Sequence, residues 1–153
     1  MFILRVIQSL VKNKVAYALV GGYAVALHGA IRGTVDVNLV IKLDKTQFNK
    51  LEAAMSAIGL RPRLPVDANA VFDFREEYIR NRNLIAWSFY HPANPLEVVD
   101  VLITEDLRQI QTVIKTVDKQ KIIVAAIPDL IAMKRKAGRP QDLEDIKALE
   151  RLS

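Results

Sequence analysis

The stretch Tyr17-Ala18-Leu19-Val20-Gly21-Gly22-Tyr23-Ala24 predicts a buried strand that runs directly into a helix. Four apolar residues end at a pair of glycines, and the residues that follow are apolar at helical spacing. Glycine lets the backbone approach another group closely, and the free N–H groups at a helix start attract phosphate. The stretch therefore indicates either a phosphate-binding turn or simply a tight turn between a strand and a helix.

The next predicted strand, residues 35–42, carries two polar residues on one face. Because strand side chains alternate, Asp36 and Asn38 point the same way, and we expect the apolar positions between them to face the core, namely Val35, Val37, Leu39 and Ile41. A carboxylate beside an amide oxygen suits a divalent cation, although asparagine is the weaker, neutral ligand. A strand whose polar face meets solvent is the alternative, and Lys42 on that face favours it.

A later strand, Leu96–Ile103, is apolar except for its acids. Asp100 occupies an interior position, where a carboxylate is rare without a partner or a function. Glu97 lies on the opposite face of the same strand, so only one of these acids can join Asp36. If this strand neighbours residues 35–42, Asp36 and Asp100 can share a divalent ion.

Composition limits the class of protein. The chain has 153 residues, of which 51% are hydrophobic and 25% charged, and it has no cysteine, so we expect one domain over residues 1–153 without disulfides or thiolate metal sites. No apolar run approaches the ~20 residues that span a bilayer, which predicts a cytoplasmic protein without a membrane partner. The net charge of +5 favours polyanionic partners, although scattered basic residues are also typical of a solvated surface.

The remaining pattern predicts an α+β protein, with a small mixed β-sheet flanked by helices and a helical C-terminus. Helices are expected at 2–13, 21–29, 45–58, around 76–82, near 106–115, 128–137 and 140–152. Strands are expected at 15–20, 35–42, 84–90, 96–103 and 121–126, with Pro62 near a strand end. Asp44 is positioned to cap the helix at 45–58. We interpret Trp87, Phe89 and Tyr90 as packing residues first and as a base-stacking platform second.

Together these motifs resemble the minimal nucleotidyltransferases of the DNA polymerase beta-like superfamily. The resemblance rests on an acid of a later strand and on the pattern Val20-Gly21-Gly22-x-Ala24…His28-Gly29…Arg32-x-Thr34-x-Asp36-Val37-Asn38. The tail is similar to that of bacterial members related to the AbiEii toxins, in the segment Asp129-Leu130-Ile131-Ala132-Met133-Lys134…Ala137-Gly138-Arg139-Pro140-x-Asp142-x-x-Asp145-Ile146. An antitoxin partner is implied only by this second likeness.

The resemblance implies transfer of a nucleoside monophosphate from an NTP, such as ATP, to a hydroxyl acceptor on a protein, an RNA or a small molecule. It implies Mg²⁺ as the cofactor, with Mn²⁺ as the alternative. The implied catalytic and metal-binding residues are Asp36, Asn38 and Asp100. The implied nucleotide-binding residues are Gly21, Gly22, Arg32, Thr34 and Lys134, although Arg32 also has the alternative of an ordinary surface arginine.

Asn38 departs from the family pattern, which has an acid at this position. It leaves three explanations open: an inactive member, an active member with a single metal, or a sequence altered at its active site. Two other classes of function also stay open: an inactive nucleotide-binding or partner-binding protein of the same fold, and a nucleic-acid-binding module that uses the basic regions 61–82 and 134–139. Asp142 and Asp145 are expected to fix the elbow between the last two helices.

Overall fold

A seven-stranded mixed sheet forms the centre of the protein in the computed structural model, which describes residues 1–153. The strands are β1 (Tyr17–Val20), β2 (Val37–Ile41), β3 (Arg61–Pro62), β4 (Ala86–His91), β5 (Asn94–Leu102), β6 (Thr112–Val117) and β7 (Gln120–Ala125). Their order across the sheet is β3-β4-β5-β2-β1-β7-β6. β2 runs parallel to β5 and β1 runs parallel to β7, while the other neighbours are antiparallel.

The helices that flank this sheet are α1 (Phe2–Lys12), α2 (Gly21–Leu27), α3 (Lys45–Ala57), α4 (Ala68–Asp73), α5 (Arg75–Arg82), α6 (Ile127–Ala137) and α7 (Pro140–Leu152). The predicted cap of α3 is confirmed, because the Asp44 carboxylate accepts a hydrogen bond of 2.7 Å from the Gln47 backbone N–H. None of the helices combines the length and apolar character needed to cross a bilayer. The α+β class and the helical C-terminus are as predicted.

The two faces of the sheet differ in how they are covered. On one face Trp87 of β4 stacks on Phe48 of α3, with ring centroids 5.4 Å apart, and Phe89 packs against Trp87. These aromatic side chains are buried, so for Trp87 and Phe89 packing is the role that the structure shows. The alternate residues of β4 and β5 point to the other face, which is only partly covered, and Ser88, Tyr90 and Asp100 lie there.

The helix predicted near 106–115 is wrong. A short 3₁₀ helix occupies Leu107–Gln109, and β6 follows as an edge strand that pairs with β7. The reason is local: β6 is rich in β-branched residues, and Asp118 and Lys119 take positive φ values of 48° and 67° that close a tight hairpin turn.

Strand β2 begins at Val37 rather than at residue 35, because the register of its neighbours offers no partner for the two preceding residues. The expectation that Val35 faces the core is therefore wrong, and its side chain is 50% exposed. Residues 28–36 instead form the loop between α2 and β2, and the second half of this loop borders a cleft.

Candidate functional site

A row of polar side chains crosses the partly covered face of the sheet. The strand register pairs Asn38 of β2 with Asp100 of β5, and Asp100 with Ser88 of β4. Paired residues on neighbouring strands are about 5 Å apart and point to the same face. The fold therefore brings Asp100 next to Asn38, although β3, β4, α3, α4 and α5 separate them in the chain.

Asp36 lies just before β2 and borders the same cleft as Asn38 and Asp100. Its carboxylate keeps an exposed side, yet partial burial raises its pKa above the ordinary value, and the negative charge of Asp100 raises it further. The positive charge of Arg63 opposes both effects. The two aspartates predicted from the sequence are thus close enough to repel each other.

Ser88 was not identified from the sequence. Its hydroxyl donates a hydrogen bond of 2.6 Å to Oδ1 of Asp100 and holds one carboxylate oxygen in place. Oδ2 of Asp100 makes no hydrogen bond within the protein, which leaves it for a ligand. The alternation Trp87-Ser88-Phe89 was the available signal, because it places Ser88 on the face away from the core.

The double glycine turn packs tightly against these residues. Gly21 has a φ of +71°, and a Cβ at this position would collide with Nδ2 of Asn38. A Cβ at Gly22 would lie 2.7 Å from Oγ1 of Thr34, which is too close for any two such atoms. The turn thus needs glycine at both positions, and it brings the start of α2 into the cleft beside the acids.

The cleft has a volume of about 940 Å³ and is bounded on its far side by α6. Lys134 of α6 borders the cleft, but its ammonium group already pairs with two buried carboxylates, at 3.3 Å from Asp142 and 2.9 Å from Asp145. A lysine ammonium has three donors, so one remains for another acceptor.

Two arginines complete this ion-pair cluster and connect the cleft to α7. Nε of Arg32, from the loop before β2, lies 3.1 Å from Asp145, and Nε of Arg139 lies 2.7 Å from Asp142. Burial alone would raise the pKa of Asp142, but the hydrogen bonds from Arg139 and Lys134 outweigh burial and lower its pKa. Asp142 and Asp145 lie at the elbow between α6 and α7, the location that the sequence predicted for them.

The donor set at the row fits a hard divalent cation. Two carboxylates and an amide oxygen are the oxygen ligands that Mg²⁺ and Mn²⁺ prefer, and the mutual repulsion of Asp36 and Asp100 indicates negative charge that a cation would neutralise. The set has only two negatively charged ligands, because position 38 is an asparagine. Accordingly, no group of three or more acidic, histidine or cysteine side chains converges anywhere in the protein.

Sequence comparisons find no relative, because no family model and no curated protein matches the chain. Solved structures do match. The lincosamide antibiotic adenylyltransferase LnuA, with lincomycin bound, superposes with a TM-score of 0.65 at 15% identity over 99% of this chain and 96% of LnuA. ANT(2'')-Ia, in complex with adenylyl-2''-tobramycin, gives a TM-score of 0.64 at 12% identity over 96% of this chain and 84% of that protein.

An antigenic nucleotidyltransferase-like protein from Paracoccidioides brasiliensis has the same architecture, with a TM-score of 0.61 at 18% identity over 99% of this chain and 74% of that protein. At such low sequence identity these matches show similarity of fold alone. The mixed sheet with its helical C-terminus is therefore nucleotidyltransferase-like, as the sequence predicted.

Proposed function

We propose that this protein is a Mg²⁺-dependent nucleotidyltransferase that moves a nucleoside monophosphate from an NTP, ATP in the first instance, to a hydroxyl acceptor. The observation that carries the proposal is the row itself: Asp100 is paired in register with Asn38, and Asp36 lies beside both where the glycine turn opens α2. The nucleotidyltransferase-like fold supports it.

In this mechanism the glycine turn and the start of α2 receive the triphosphate, since the free backbone N–H groups at a helix start attract phosphate. Asp36 and Asn38 would hold the metal ion, which supplies charge neutralisation at the phosphates when bound, and Asp100 would act as the base or as a ligand of a second metal ion. Thr34 and Arg32 border the same part of the cleft and orient the loop, and Lys134 offers its remaining N–H to a phosphate oxygen.

The transfer is an in-line displacement at the α-phosphate. The acceptor oxygen forms a bond to phosphorus, the bond to the bridging oxygen of pyrophosphate breaks, and pyrophosphate leaves. Asp100 takes the proton of the acceptor hydroxyl on the oxygen that Ser88 does not occupy. Ser88 thereby orients the carboxylate for this role.

The test is to incubate the protein with Mg²⁺, cell extract and each of the four NTPs labelled at the α-phosphate. We expect label to appear on an acceptor with the wild-type protein and to disappear with Asp100→Asn. Asp73→Asn is the matched control, because Asp73 makes only an exposed ion pair with Lys45. Absence of label with all four nucleotides would count against an enzyme.

A second candidate is favoured by one observation, the lack of a third acid in the row. In this case the protein binds a nucleotide or a partner without catalysis, and Asn38 is the lesion. Calorimetry would then show Mg²⁺-dependent nucleotide binding while the labelling assay shows no transfer. The third class, a nucleic-acid-binding module, is less favoured, because each basic residue of 134–139 is paired with a carboxylate.

The proposed subgroup and the proposed antitoxin partner rest on the C-terminal segment alone. We infer kinship with the AbiEii-related group from residues 129–146, which form the ion-pair cluster of α6 and α7. Such kinship would make the protein cytoplasmic, with an antitoxin as its partner. Growth arrest on induction in a bacterial host, relieved by co-expression of an adjacent gene, would support this role, and normal growth would oppose it.

A further inference from the structure

Arg63 extends the polar row beyond Ser88. The register pairs Arg61 with Tyr90 and Pro62 with Phe89, and the Arg63 backbone N–H continues the ladder with a hydrogen bond of 2.9 Å to the Ser88 carbonyl. The row therefore runs from Asn38 through Asp100 and Ser88 to Arg63. The glycine turn and Arg63 stand at its opposite ends, with the acids between them.

The Arg63 side chain is held over the open face of the sheet. Its Cζ lies 5.8 Å from the centroid of the Tyr90 ring, and Tyr90 points to the same face as Ser88. Arg63 is exposed and makes no ion pair, whereas Arg32, Arg108 and Arg139 all pair with carboxylates.

The geometry of in-line transfer gives this end of the row a role. If the pyrophosphate group leaves toward the glycine turn, the attacking oxygen must approach the α-phosphate from the opposite side. That side is the one that faces β4, where Ser88, Tyr90 and Arg63 lie. A free guanidinium at this place presents a planar fork of donors that matches a phosphate group.

We propose that Arg63, stacked on Tyr90, is an anion subsite for the acceptor, and that the acceptor is a hydroxyl compound that carries a phosphate group near its reacting hydroxyl. The role of Arg63 in binding the acceptor rests on the proposed function, but phosphate binding at Arg63 can be tested without any transfer. This subsite would be a binding surface on the side of Asp36 and Asp100 that faces β4, separate from the nucleotide site.

The probe is inorganic phosphate, titrated at constant ionic strength into protein labelled with ¹⁵N-arginine, with the Nε–Hε signals followed by NMR. The Arg63 signal is assigned by its loss in Arg63→Gln. We expect it to shift in a saturable manner, and Tyr90→Leu to weaken phosphate binding at least threefold. Arg151→Gln, which removes an exposed and unpaired charge on α7, is expected to leave the affinity unchanged.

A second series adds Mg²⁺ and α,β-methylene-ATP, which binds without transfer. We expect phosphate still to shift the Arg63 signal. A linear, non-saturable shift, or an equal loss of affinity in Arg151→Gln, would overturn the subsite, and displacement of phosphate by the analogue would assign Arg63 to the nucleotide instead. If the analogue fails to bind at all, the proposed function is in error, while the titration without nucleotide still decides the subsite.

Discussion

Asn38 lies between Val20 and Asp100 in the sheet, and its amide touches the backbone of Gly21. We expect Asn38→Asp to strengthen Mg²⁺-dependent nucleotide binding about tenfold, which corresponds to ~1.4 kcal/mol, because it adds a charged ligand beside Asp36 and Asp100. Calorimetry with and without Mg²⁺ measures the change. Asn81→Asp, on the exposed side of α5, is the control for added negative charge.

The same substitution makes a prediction for the protein without metal. Three neighbouring carboxylates repel one another, so Asn38→Asp should lower the melting temperature in EDTA and gain more from Mg²⁺ than the wild type does. Equal affinity and an equal response to Mg²⁺ in both proteins would show that position 38 does not face the ion.

The glycine turn allows a test of its close packing. Gly21→Ala combines a left-handed backbone, which costs about 1–2 kcal/mol for alanine, with a collision against Asn38 that costs about 1–3 kcal/mol. We expect the free energy of unfolding in urea to fall by roughly 2–5 kcal/mol. Gly33→Ala, where a Cβ would meet no atom within 4 Å, is the control and should change little. Similar losses in both variants would contradict the packing argument.

Single residues differ in how far the sequence reveals them. Asp36 and Asp100 could be identified from the sequence because a carboxylate within an apolar strand is rare without a partner or a function. Ser88 and Arg63 could not, because their importance depends on which strands become neighbours and in which register. The alternation Trp87-Ser88-Phe89 predicts the face on which Ser88 lies but not its partner. Arg63, which follows Pro62, carries no chemical signal until the sheet places it beside Ser88.

At the scale of elements, the hairpin of α6 and α7 depends on a buried ion-pair cluster. Asp142 is 1% exposed and pairs with both Lys134 and Arg139. Asp142→Asn should lower the free energy of unfolding at pH 7 by about 1–3 kcal/mol, less than for an isolated buried pair because Lys134 keeps Asp145. Glu150→Gln breaks only an exposed pair with Arg135 and should cost at most ~1 kcal/mol.

The lowered pKa of Asp142 fixes the pH range of this contribution. The stabilisation is complete above the pKa of an unfolded aspartate, about 4, and is lost as the pH falls through the lower pKa of the folded state. Wild-type protein should therefore lose more stability between pH 7 and pH 3 than Asp142→Asn does. Urea unfolding at the two pH values tests this, and parallel losses in both proteins would contradict it.

Most elements follow from local pattern, and the exceptions are instructive. Local signals set the bounds of three helices: a proline near the start of α6 and of α7, the glycine after α6, and the Asp44 cap of α3. Each of these helices begins and ends within a residue or two of its predicted bounds. The helix predicted near 106–115 is wrong because its apolar residues fit a helical spacing as well as a strand. The β-branched residues of β6 and the tight turn at Asp118 and Lys119 favour the hairpin with β7.

At the scale of the whole molecule, the cleft is assembled from β1, α2, β2, β5 and α6. A nucleotide that contacts several of them stabilises the folded protein as a unit. At a hundred times its Kd it adds ~2.7 kcal/mol, or roughly 5–10 °C in melting temperature for a protein of this size. We expect this shift with Mg²⁺ and ATP, and its loss in EDTA or in Asp36→Asn. No shift at saturating ATP would count against a nucleotide site.

The parallel pairing of β2 with β5 has a consequence for the newly made chain. Half of the acid pair is translated early, and the other half follows only after three helices and two more strands have been added. Parallel neighbours that are distant in sequence form slowly, because a long loop must close first. A nascent or truncated copy that ends before β5 therefore carries Asp36 without Asp100, and under the proposed function it would have no transfer activity until β5 pairs with β2.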